Sequence, residues 1–551
     1  MIDRLPPELL IIAVKELPSP VDTKSLCEVS HHLHKICTPL LHESVVITVY
    51  DVSPVALAAT IRSICRASLE FTRHIAFTTP LLKYHSSLCH HGRLAKKNWT
   101  YADYCGEPLG VALEDLLSHF RPNQLRSFRW DLGICPPFPV LDLSHPWRHS
   151  QRRIEHLSLV VDPKCSMENR PGYITDLTAF QNLRYFSWVY PTTPSDFQAI
   201  GAILRTHGSR LQGLKLDFGA WWRVIKTFAD SPDELGSTCP PSVNTFTEEI
   251  LGIKEGATGV ILPSLQELDL ANLSFETATT GLARALNIAN LRSLTINDCR
   301  RFLPLLVEAA ESTSALPLKR FALRYPSRDD TIRGGSVDVL EECLLRFLNR
   351  CTALEDIFLA VFVQSNSTNL IRAIANNRER LRRLVVHWSS DPDDDYDEPC
   401  TEADTVAILN SCPAVECLGL CVEVPVLRQS LEGISPRPRY RLLHVRNSAT
   451  SLHLPTEENW LPGMRTGYQA DDDSSFLNWV FGVDGIGSLE ILAFGDFSCD
   501  EGGGRASAAY CREADGYRRL TPNDSTLWAY LKSNMDMLSS CSAASAPVSF
   551  Y

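Results

Sequence analysis

A short pattern, apolar-x-x-apolar-x-apolar, returns along most of the chain and constrains its fold more than any other feature. It reads Leu125-Phe128-Trp130, Ile154-Leu157-Leu159, Leu183-Phe186-Trp188, Leu211-Leu214-Leu216, Leu265-Leu268-Leu270, Leu291-Leu294-Ile296, Leu318-Phe321-Leu323, Leu354-Ile357-Leu359, Leu381-Leu384-Val386, Val415-Leu418-Leu420 and Leu489-Leu492-Phe494. A weaker copy surrounds Leu442-Leu443-Val445. Copies starting at 125, 154, 183 and 211 are 29, 29 and 28 residues apart, and those at 265, 291 and 318 are 26 and 27 apart. Alternation within each copy is the mark of a half-buried strand. Helical patterns separate the copies, among them Leu113 to Phe120, Phe197 to Leu204, Leu282 to Ile288 and Leu370 to Ile374. A unit of one strand and one helix cannot bury its apolar face alone, and stacking such units builds one continuous core. The expectation is an α/β fold: a curved solenoid with a parallel sheet inside and helices outside.

The period is that of leucine-rich repeats. The ends of two helical segments, Leu348-Asn349-Arg350-Cys351-Thr352-Ala353-Leu354-Glu355 and Leu409-Asn410-Ser411-Cys412-Pro413-Ala414-Val415-Glu416, coincide at Leu, Asn, Cys, Ala and Glu. The array resembles the cysteine-containing branch of that family in degenerate form. Eight residues past the first apolar position, where the family places Asn or Cys to hydrogen-bond the turn, Cys299 fits; Gly133, Pro191, Gly219, Leu273, Phe362 and Glu423 do not.

Ahead of the repeats, Leu5-Pro6-Pro7-Glu8-Leu9 opens an apolar helix running to Leu17, and a second helical run containing Val29-Ser30 ends near Leu41. Leu5, Leu9, Ile12, Ala13, Val14 and Leu17 leave no clean polar face, while Leu26, Val29, Leu33, Ile36 and Leu40 recur at helical spacing. About forty residues cannot bury that much apolar surface among themselves. Some of it must meet another surface.

Leu5, Pro6, Glu8, Leu9, Leu17, Leu26, Val29 and Ser30, followed by Pro39-Leu40-Leu41 and the apolar strand Val45 to Val49, resemble an F-box. Ala13-Val14 and Leu33 stand where that family usually carries Ile-Leu and an aromatic residue. The resemblance implies docking on a Skp-type adaptor, which bridges to a cullin scaffold, through Leu5, Pro6, Leu9, Val14, Leu17, Leu26, Val29 and Leu33. The domain organisation expected is an F-box-like module over 1–45, a connecting and capping region over 46–120, the solenoid over 121–500, and a loop with a C-terminal capping helix over 501–551. That helix is expected from Pro522 to Leu538, with Thr521 as N-cap, Asp524 in its first turn and an apolar stripe of Leu527, Tyr530, Leu531, Met535 and Leu538.

Composition narrows the function. The 551 residues are 44% hydrophobic and 21% charged, a globular balance. A net charge of −12 argues against a nucleic-acid binder, which needs a basic surface. No apolar run reaches the roughly 18 to 20 residues of a membrane span. The 18 cysteines are scattered, without C-x-x-C spacing or a secretory signal, and read as reduced, buried thiols of a cytoplasmic or nuclear protein. Asp391 to Glu398 and Asp471 to Asp473 read as acidic surface loops, and Glu501 to Ala509 as a flexible loop.

Motifs for metalloprotease, serine hydrolase and nucleotide chemistry are absent from the sequence, so no catalytic residue or cofactor is expected. His85, Cys89, His90, His91 and Cys105 have zinc-ligand chemistry without a finger's spacing, and no metal site is assigned to them. Asp217, Trp221 and Trp222 are the residues around which an enzyme pocket would have to form. The expected function is substrate recognition for a ubiquitin ligase, the repeats holding an unknown protein target. The alternative is a leucine-rich-repeat binding scaffold without a ligase role. Target contacts are expected on the concave sheet at Arg129, Lys215, Glu267, Asp269, Arg292 and Arg382, with Arg126, Arg184, Lys319 and Arg383 in similar positions, because period two turns residues between the leucines toward solvent.

Overall fold

Every copy of the apolar pattern forms a strand, and each strand begins at the pattern's third residue rather than its first. A computed structural model describes residues 5–17, 20–49, 51–79, 108–137, 146–162, 177–191, 194–219, 245–253, 261–273, 275, 281–312, 315–324, 337–362, 367–389, 400–446, 470–495, 508–514, 516–521 and 524–538. The chain is α/β, with a mostly parallel arrangement of sixteen strands among the described residues. It divides into two compact units, Met1–Gly252 with Ile261–Ser264, and Ile253–Val260 with Leu265–Tyr551.

The first unit opens with three helices, α1 (Pro7–Lys15), α2 (Pro20–Val29) and α3 (His31–Leu41). The single helical run expected up to Leu41 is thus broken at Ser30. Its hydroxyl accepts the Leu33 amide at 3.2 Å, capping α3. Strand β1 (Ser44–Thr48) follows directly. After α4 (Pro54–Ser63) comes β2 (His74–Thr78), and after α5 (Pro108–Ser118) comes β3 (Ser127–Asp131). Then follow α6 (Pro146–Ser150), β4 (His156–Val160), β5 (Tyr185–Val189), α7 (Pro194–His207) and β6 (Gly213–Asp217). All six strands pair in parallel and in chain order. The sheet therefore begins at Ser44, well before Leu125, where the sequence shows its first clear copy.

The second unit continues the alternation: β7 (Glu267–Ala271), α8 (Leu282–Ala285), β8 (Ser293–Asn297), α9 (Leu303–Ser312), β9 (Arg320–Arg324), α10 (Val337–Arg350), β10 (Asp356–Phe362), α11 (Ser367–Ala375), β11 (Arg383–Ser389), α12 (Glu402–Ser411), β12 (Cys417–Cys421), α13 (Val424–Glu432), β13 (Leu442–Arg446), α14 (Ala470–Phe481) and β14 (Ile491–Phe494). Strands β7 to β14 are parallel neighbours. Residues 471–473 open α14 instead of forming a loop, in keeping with the preference for acidic residues in a helix's first turn. Asp391 to Glu398, Trp221, Trp222 and the His85–Cys105 group lie outside the described residues.

Strand β14 pairs with an antiparallel hairpin, β15 (Ala508–Glu513) and β16 (Gly516–Arg519), so Ala508 and Ala509 belong to a strand and not to the expected loop. Arg512 on β15 donates to the carbonyls of Phe481 at 2.5 Å, Ile486 at 2.7 Å and Leu489 at 3.2 Å. One guanidinium thus satisfies acceptors left open where α14 ends and the chain turns into β14. Helices α15 (Ser525–Ser533) and α16 (Met535–Leu538) are the last elements among the described residues. The first starts later than expected: Asp524 is its N-cap residue, and the Asp524 carboxylate turns back to accept from the Thr521 amide at 2.9 Å and from Arg518.

From β2 to β13 the fourth and sixth pattern positions are buried on the helix side. Phe321 of β9 meets Phe347 of α10 at 4.9 Å between ring centroids, and Phe128 of β3 meets Trp147 of α6 at 5.3 Å. The turns are joined by buried amide side chains. Asn377 accepts the Leu354 amide at 3.1 Å and donates to the Cys351 carbonyl at 2.9 Å, so it bonds both ends of the preceding repeat's turn. Gln151 does the same for Leu125 and Arg121. Cys299, the one residue fitting the family's turn position, lies 3.4 Å by its sulfur from the Leu270 carbonyl of the preceding repeat.

Candidate functional site

Two surfaces carry side chains that their own elements do not use. The first is on the N-terminal helices. Leu10, Val14, Leu33 and Cys37 form their buried core, against which Leu17, Leu26, Cys27, Ile36 and Leu40 pack. Val14 and Leu33 are therefore interior residues, and Leu17 and Leu26 lie at the edge of the core. On the other side of α1, Leu9 and Ile12 stand one turn apart and are 51% and 59% exposed, and Leu5, two residues ahead of the helix, is 42% exposed. Pro6 is exposed beside them, and Val29 at the end of α2 is 67% exposed. Together these side chains form an exposed apolar patch on a small helical element.

The second surface is the sheet face opposite the helices, formed by the third and fifth pattern positions. In the first unit it is polar. Arg129 and Asp131 of β3 pair at 2.6 Å, Ser158 donates to Asp131 at 2.7 Å, and His156 stacks on Tyr185 with centroids 4.3 Å apart. Burial under that stack lowers the His156 pKa more than neighbouring Glu155 raises it. Lys215 is exposed on this face of β6, as are Glu267 and, in part, Asp269 on β7 of the second unit.

Arg292 and Arg382 do not lie on that face. They occupy the second pattern position, one residue before the strands, together with Arg126, Arg184 and Lys319. Here the main chain bonds repeat to repeat: the Arg382 carbonyl accepts from Glu416 and Cys417 at 2.8 and 3.0 Å, and the Arg292 carbonyl from Lys319 and Arg320 at the same distances. The side chains run alongside as an ion-pair ladder, with Arg126–Glu155 at 2.8 Å, Lys319–Glu355 at 2.7 Å, Arg382–Glu416 at 3.0 Å and Arg441–Glu490 at 2.9 Å. Counting period two back from the leucines fails there because those residues precede the pleated strand.

Within the second unit the sheet face changes character from β10 onward. Phe358, Val385, Cys417, Leu442, Ile491 and Ala493 replace the polar residues, and α15 and α16 lie on them. Leu531 and Leu538 pack with Cys417, Leu442 and Ile491, and Met537 with Phe358 and Val385. The C-terminal helices thus cover a face of the sheet, in place of the solenoid end expected of a cap. The end is closed by the β15–β16 hairpin. Arg320 and Arg383, neighbours of Asp356 across β10, converge on Asp536 at 2.7 and 3.2 Å, and Arg383 also binds Asp356 at 2.5 Å. Hydrogen bonding to Asp356 holds the Arg383 guanidinium firmly protonated. Arg441 lies 4.3 Å over the Tyr530 ring. The apolar identity of outward positions in β10 to β14 was the sequence signal for this cover.

Burial pushes the Cys351, Cys412 and Cys417 thiols up to about 12, so they stay protonated. No known family model matches the chain, and no curated protein matches it.

Proposed function

We propose that this protein is the substrate-recognition subunit of a Skp-cullin-F-box ubiquitin ligase, with α1 to α3 docking on the adaptor and the repeats holding the target protein. The observation that carries the reading is the row Leu5, Leu9 and Ile12, apolar and exposed on a module whose interior is already filled by Leu10, Val14, Leu33 and Cys37. Covering these half-exposed side chains supplies the apolar driving force for docking. The protein then performs no bond chemistry. It raises the effective concentration of a target lysine near a charged ubiquitin carrier.

The test is co-purification of a Skp-type adaptor with the full chain and with Leu9→Glu/Ile12→Glu. Both side chains are exposed, so the variant should keep its unfolding free energy to within about 0.5 kcal/mol and lose the adaptor. A chain that never retains the adaptor is a binding scaffold, and a variant that still retains it refutes the docking face.

A further inference from the structure

A cover made only for stability would need an apolar floor and an apolar lid. The floor under α15 and α16 is different, because Arg320 and Arg383 stand at its margin with their charges directed at one carboxylate, Asp536. Asp356 orients Arg383 from the side, so the two arginines and one aspartate leave a net positive rim beside Val385, Cys417 and Leu442 once Asp536 is taken away. Arg320, Arg383 and Asp536 all remain in part exposed to solvent. Water thus reaches the ion pairs from one side, and opening them does not strand a charge in a sealed interior. Helix α15 spans nine residues, too few to persist in water without a surface to lie on.

We propose that the sheet face of β9 to β14 is a peptide-binding site, and that it takes a helical segment of a partner protein in which an acidic residue stands beside large apolar ones. Residues 525–538 occupy the site in cis and are displaced by that partner. The chemistry of the occupant defines the ligand: Leu531, Met537 and Leu538 fill the floor while Asp536 meets the two guanidinium groups. As the identity of a ubiquitination target, the partner rests on the ligase reading above; as a binding site, the face does not.

The probe is a fluorophore-labelled synthetic peptide of residues 524–538, titrated by anisotropy into full-length chains. In the wild type the tethered segment competes at an effective concentration on the order of millimolar, so the free peptide should bind weakly. Asp536→Arg on the full chain removes the cis carboxylate, and peptide affinity should rise about ten-fold or more as the site is vacated. Adding Arg320→Glu and Arg383→Glu should abolish that gain. Hydrogen exchange on the wild type supplies the measurement that needs no variant: the labelled peptide should speed exchange of amides 525–538 and leave β10 to β12 protected. Equal peptide affinity in the wild type and Asp536→Arg, or no change in exchange with added peptide, overturns the proposal. Adaptor co-purification from the same wild-type preparation is read separately, so a failed ligase assignment is told apart from a failed peptide site.

Discussion

Asn377 offers a quantitative test of how the repeats are joined. Its side chain is 3% exposed and satisfies one donor and one acceptor of the preceding turn, the Leu354 amide and the Cys351 carbonyl. Asn377→Leu keeps the approximate volume and strands both groups. Each buried unsatisfied group costs about 1 to 3 kcal/mol, so the variant should lose about 2 to 6 kcal/mol. Asn377→Asp separates the two bonds. The carboxylate still accepts from Leu354, but its second oxygen faces the Cys351 carbonyl, and only a protonated carboxyl can donate there. The folded-state pKa of this new Asp is thereby raised above its unfolded value, so its bond is present at acid pH and lost as pH rises through the raised pKa. Urea midpoints measured across the acid range should show Asn377→Asp approaching the wild type at low pH and falling behind it toward neutrality. A loss for Asn377→Leu below about 1 kcal/mol, or a pH-independent deficit for Asn377→Asp, would refute the clamp.

Two further predictions concern single residues. Arg512→Ala removes donors to three carbonyls and should lower stability by about 2 to 4 kcal/mol in urea unfolding, with Arg512→Lys recovering only part because one ammonium cannot span them. His207 is buried against the Arg210 guanidinium, which donates to its Nδ1 at 3.2 Å, and burial first and that charge second lower its pKa. The unfolded chain therefore binds the proton more readily, stability falls as pH drops below about 6.5, and His207→Gln should flatten the melting temperature between about pH 7 and pH 5.

The repeats were legible because their signal is redundant: up to three apolar positions per copy, all buried except Phe494, mark β3 to β14. Strand β1 was legible as the apolar strand Val45 to Val49 but not as a repeat, and β2 escaped, because the first slot of the pattern holds His42 and Thr72. Thr72 is fully buried and donates to the His42 carbonyl at 3.0 Å, so a hydrogen bond replaces the leucine there. The β15–β16 hairpin escaped because Ala508-Ala509-Tyr510-Cys511 carries little alternation of polarity. Of the residues expected at the adaptor, Leu5, Pro6, Leu9 and Val29 are exposed, whereas Val14 and Leu33 face inward. Helical spacing alone cannot tell which apolar side of a short helix meets its neighbours. The apolar stripe of the last helix was legible; the place it docks was not, because that depends on a contact 153 residues away, between Arg383 and Asp536.

That long-range contact alters how the second unit should come apart. In a stack where each strand–helix pair touches only its neighbours, end units fray one at a time and unfolding spreads inward. Here α15 and α16 touch residues of β9, β10, β11, β12, β13 and β14 together. They act as a crossbrace: β14 cannot peel away without also releasing the cover from β10. With the helices seated, the whole stretch should melt in one cooperative step. With them displaced by a ligand that spans fewer strands, the same sequence should unzip from its C-terminal side, so occupancy of the sheet face would set the unit's cooperativity as well as its affinity for a partner.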